Sequence, residues 1–108
     1  MPVQRNAGIQ NLNRASEVVS FFDDDVELAG DYLARMRQFL ADHPQVTGVE
    51  GWVIANAPMP REAARRLLAE AAALEGFWPI RSLFGCNMNV RRSVLERERF
   101  DERLVLYA

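Results

Sequence analysis

Lysine is absent from this chain: all 13 basic residues are arginine. That removes the phosphate-loop lysine, the Schiff-base lysine and the serine–lysine nucleophile pair. One cysteine, Cys86, cannot form a disulfide within the chain, and one histidine, His43, leaves too few ligands for a Cys/His zinc site. No apolar run approaches the roughly 20 residues that cross a bilayer. The opening stretch MPVQRNAGIQNLNR lacks the apolar segment of a secretory signal. A reduced, cytoplasmic protein without a metal or cofactor is therefore the expectation. The arginine-only usage fits a GC-rich genome and says nothing about mechanism.

What remains is the composition of a globular protein. The 108 residues are 49% hydrophobic and 26% charged, which suits one domain over 1–108 with a modest core. Residues 1–10 are expected to be loosely ordered. The net charge of −2 is unevenly divided: residues 1–50 hold four arginines against eight acids, and residues 51–108 hold nine against seven. Six acids and no arginine lie between Arg14 and Arg35, and such a segment repels phosphate.

Leu12, Ala15, Val19, Phe22, Val26, Ala29, Leu33, Met36 and Leu40 recur at alternating spacings of three and four, a helical period. A flanking column of Val18, Asp25, Tyr32 and Phe39 broadens this face beyond a coiled-coil seam, so a helix packed on a core is favoured. Within FFDDDVE the run Asp24–Glu27 matches a capping box, and Asp23 and Asp25 complement a helix dipole. His43 and Pro44 suit the far end. The pattern predicts a helix over about 24–42, and SEVVSFF before it reads as a strand. A calcium loop starting at Asp23 is disfavoured, because its sixth and twelfth positions hold Leu28 and Ala34.

VTGVEGWVIANA reads as one strand, or two with a bend, with Trp52 in the core. PMPREAARRLLAEAAALEG predicts a second helix over about 60–75, with Pro60 at its start, Gly76 past its end, and Glu62–Arg66 and Arg66–Glu70 as surface pairs. Its buried face would be Ala64, Leu67, Leu68, Ala71 and Leu74. FWPIRSLFG reads as an edge strand broken by Pro79. RRSVLERERFDER has weak helical order, with Arg92–Glu96 and Arg97–Asp101 as pairs, and RLVLYA would close as a strand. The expected fold is α+β: a two-layer sandwich with both main helices on one face of a three- to four-stranded sheet.

Three readings of function follow. Phe77, Trp78, Arg81 and Phe84 are of the types enriched at interface hot spots, which points to a non-enzymatic protein-binding regulator or inhibitor, antitoxin-like in kind. Its partner would be another protein or a second copy. The alternative is a small enzyme using Cys86 or a carboxylate: Cys86 with His43 and Asn87 or Asn89 is the one nucleophilic constellation the inventory allows, though FGCNMN reads more simply as a turn. Arg91 and Arg92 could contact phosphate, but the acids interleaved in ERERFDER nearly cancel the field, and nucleic acid is disfavoured.

Overall fold

A computed structural model describes residues 2–54, 59–72, 76, 77 and 79–104. In chain order the elements are α1 (Pro2–Gln10), β1 (Val18–Phe22), α2 (Tyr32–Asp42), β2 (Gly48–Val49), α3 (Arg61–Ala72), β3 (Asn87–Arg91) and α4 (Arg92–Leu95). The strands form an antiparallel sheet in the order β1-β3-β2, with Ser20 opposite Asn89 and Gly48 opposite Val90. The fold is α+β. No helix among the described residues is long and apolar enough to cross a membrane.

β1 forms where VVSFF supplies β-branched and aromatic side chains. Alternation along it sends Val19 and Phe21 to one face and Ser20 and Phe22 to the other. On the first face Val19 packs with Ile9 of α1 and Leu95 of α4, joined by Phe21, Val90 and Phe100. The rings of Phe21 and Phe100 meet edge-on at 5.3 Å, and Arg5 lies over both. On the second face Tyr32 of α2 meets Phe22 edge-on at 5.9 Å, and Leu40 is only 1% exposed. Helices therefore cover both faces of the sheet, where the sequence suggests two layers with the helices on one side.

The amino-terminal residues also differ from expectation. Residues 2–10 are helical, fastened by Asn6, which is buried and exchanges hydrogen bonds with the backbone of Phe100 (2.9 and 3.0 Å).

The largest correction concerns the triple aspartate. Residues 24–31 are not helical; α2 begins at Tyr32, after Gly30 and Asp31. Asp24 and Asp25 stand exposed in a turn in which the Val26 amide donates to the Asp23 carbonyl at 3.4 Å. No capping box forms. The helical stripe misleads because Val19 and Phe22, three apart, lie on opposite faces of a strand.

α3 covers Arg61–Ala72, close to expectation, and 73–75 lie outside the described residues. Its predicted inner face is only partly covered, Leu67 being 42% exposed. Glu27 ties it to the loop before α2 through Arg61 (3.0 Å) and Arg65 (3.7 Å). Neither Arg66 pair is present among the described ion pairs; Arg92–Glu96 forms at 3.1 Å, whereas Asp101 pairs with Arg103 instead of Arg97.

The edge strand predicted over FWPIRSLFG does not appear among the described residues: 79–84 run irregularly past β2, as Pro79 encourages, while 105–108 of the predicted closing strand lie outside the described residues. The central strand is instead NMNVR, the segment that reads as a turn in the sequence. Its asparagines are buried because the oxygen and nitrogen of each side-chain amide have hydrogen-bond partners.

Candidate protein-binding groove

The second face of the sheet is held by a closed polar network. Tyr32 Oη accepts from Asn89 Nδ2 at 2.8 Å and from the Gly51 amide at 3.2 Å, and donates to Asn87 Oδ1. Ser20 Oγ donates to Asn89 Oδ1 at 2.7 Å, and Asn89 has no exposed surface. Burial, partly offset by these hydrogen bonds, raises the Tyr32 pKa above its ordinary value. Gly51 is required here, since a Cβ on it would lie 2.5 Å from Tyr32 Cε2. Among the described residues no buried side-chain nitrogen or oxygen lacks a partner, so the network is satisfied within the fold.

This network sets the position of β2 and of the chain leaving it. The ladder to β1 occupies one side of β3 and β2 the other, so among the described residues no strand pairs with the outer edge of β2. Beside it lies a groove of about 500 Å³, floored by residues 45–51 and walled by Phe39, Trp52, Phe77, Pro79 and Ile80. Trp52 is 60% exposed and Phe77 55%. Its far end is anchored by a clasp of rings: His43 stacks on Phe39 at 4.2 Å, and Phe77 meets His43 edge-on at 4.6 Å. His43 Nδ1 lies 2.8 Å from the Phe39 carbonyl, which fixes the ring.

The residues singled out for binding separate as follows. Phe77 lines the groove. Phe84 and Arg81 are exposed but lie outside its lining, with the Phe84 amide held by Glu50 Oε2. Trp78 lies outside the described residues. Trp52, expected in the core, is on the surface, and Phe39 and Ile80 were not singled out. The sequence signal for Trp52 was its place directly after Gly51, a residue that favours an end to a strand.

The nucleophile constellation is not assembled. Arg91 at one end of β3 donates to the His43 carbonyl at 3.0 Å, while Cys86 precedes the other end. Five residues of extended chain separate them, about 17 Å at the usual rise. The Cys86 thiol is pushed up from its ordinary pKa by burial and by Asp23, Asp25 and Glu50, which disfavours a thiolate. Among the described residues no three His, Cys, Asp or Glu side chains converge as for a metal. The two arginines considered for phosphate are engaged within the fold: Arg91 with carbonyls at the end of α2, and Arg92 with Glu96 and the carbonyls of Asn13 and Arg14.

No family model, curated protein or solved structure matches this chain.

Proposed function

We propose that this chain is a non-enzymatic protein-binding module, a regulator or inhibitor, whose binding surface is the groove beside β2. The observation that carries this reading is a tryptophan and a phenylalanine, each more than half exposed, facing one apolar groove at the outer edge of β2. Aromatic side chains of this kind supply most of the energy of a protein interface when a partner desolvates them. The apolar balance points the same way. Among the described residues ten large hydrophobics are exposed and five hydrophobics are buried. A surface so apolar is stabilised by association. Arg81 and Phe84, exposed beyond the groove, would form its rim.

A photo-crosslinking residue placed at Ile80 tests this in extracts of the source organism. It should label a discrete protein, and the same probe at Arg99, near the α1 face, should not. Equal labelling from both positions, or labelling that survives Trp52→Ala, would remove the groove from the account.

A further inference from the structure

We infer that the groove takes one extended segment of another polypeptide, neutral or basic in charge, which adds to the outer edge of β2 as a further strand. This rests on the protein-binding reading above and specifies the mode and chemistry of the partner. The backbone provides the first argument. The Arg91 amide donates to the Thr47 carbonyl at 3.0 Å, and Val49 stands opposite Asn89. In an antiparallel ladder, residues alternate in the side to which their N–H and C=O point. Thr47 and Val49 therefore turn toward β3, and Gly48 and Glu50 turn their backbone groups outward along the groove. Those groups repeat at about 6.8 Å, the two-residue spacing of a strand. An added strand would satisfy them, and its alternate side chains would meet the rings on the walls.

Charge provides the second argument. Among the described residues Glu50 is the sole charged one lining the groove, and its Oε2 already accepts from the Phe84 amide. No arginine is among the described lining residues, so a carboxylate entering there would face Glu50 without a compensating cation from them. A basic side chain is accommodated at that end. The same feature disfavours a second copy, because its own β2 edge would bring a second Glu50 and no cation.

A random-peptide display library selected against the full chain tests the inference. Enriched peptides should alternate apolar and polar residues, lack proline and be depleted in acids. Binding should be lost in Trp52→Lys and Phe77→Lys variants whose circular dichroism matches the wild type. With the best peptide, amide hydrogen exchange should slow at Gly48 and Glu50. N-methylation at one inward-facing peptide position should weaken binding about tenfold or more, the loss of one good hydrogen bond. Peptides of helical or proline-rich pattern that still need Trp52 would overturn strand addition and leave the groove as a binding surface. Peptides indifferent to both substitutions, or no enrichment at all, would overturn both readings. If sedimentation shows a dimer whose Gly48 and Glu50 amides are protected without peptide, the occupant is a second copy and the inference fails.

Discussion

Arg91 closes the carboxyl end of α2 on Leu40: its Nη2 donates to the Leu40 carbonyl at 2.5 Å. The same guanidinium reaches the carbonyls of His43 (3.0 Å) and Val46 (2.6 Å), and no carboxylate pairs with it among the described ion pairs. A positive charge at the negative end of a helix replaces the counter-ion. One side chain on the central strand thus fixes where α2 stops and where the chain turns into β2. Arg91→Met should lower stability by about 3 kcal/mol, since three carbonyls lose a charged donor. Urea unfolding measures this, and a loss under about 1 kcal/mol would mean that water replaces the guanidinium without penalty.

Tyr32 gives a pH dependence that the composition makes readable. Burial raises its folded pKa above 10.0, so the folded state keeps the phenolic proton to higher pH than the unfolded chain does. Its contribution is complete below the unfolded value and is lost as pH rises through the folded one. Stability should therefore fall above about pH 10. With no lysine in the chain, the other side chains titrating there are Tyr107 and Cys86. In a Cys86→Ser background, Tyr32→Phe should flatten that fall. It should also cost about 1–3 kcal/mol at neutral pH, because the Asn89 and Gly51 donors lose their acceptor. An unchanged alkaline limb in the double variant would show that another group governs it.

The attachment of α3 should be weak and ionic. Glu27 has its pKa lowered from 4.5, first by the hydrogen bond from Arg61. A depressed carboxyl holds its contact above the unfolded pKa and loses it as pH falls through the folded value. Amide protection across Arg61–Ala72, taken relative to the intrinsic exchange rate at each pH, should fall in Glu27→Gln, in high salt, and below pH 4.5, while β1 and β3 stay protected. Exchange in α3 that ignores all three would mean apolar packing holds it.

Much of this was legible in the sequence, and the failures have physical causes. α3 and β1 were readable because Pro60, the alanine-rich run and VVSFF each favour one local conformation. The start of α2 was misread because DDVE satisfies a local capping rule that the break at Gly30 overrides. β3 was invisible for the opposite reason. Asn87 and Asn89 look like turn residues, and only the long-range bonds to Tyr32, Gly51 and Ser20 make them good strand residues. Phe77 was singled out from residue type alone, and the structure places it on the wall of the groove. Trp52 was misplaced because a short apolar run looks the same whether it enters a core or leaves one.

Cys86 should be a slow thiol. With its pKa raised above 9.0 by burial and three nearby acids, alkylation by iodoacetamide at neutral pH should run slower than for a free thiol of the same solution. Cys86→Ser should leave partner binding unchanged. Fast alkylation, with loss of function in a folded Cys86→Ser variant, would restore a chemical role to this residue.

The most direct test of the groove is calorimetric titration of the crosslinked partner, or of a selected peptide, into the wild type, Trp52→Ala and Phe77→Ala. The account predicts a loss of roughly 2 kcal/mol or more in each variant, about a 30-fold weaker Kd. Thermal unfolding of the free proteins should stay close to wild type, because both side chains are more than half exposed. Binding as tight as wild type in both variants would contradict it.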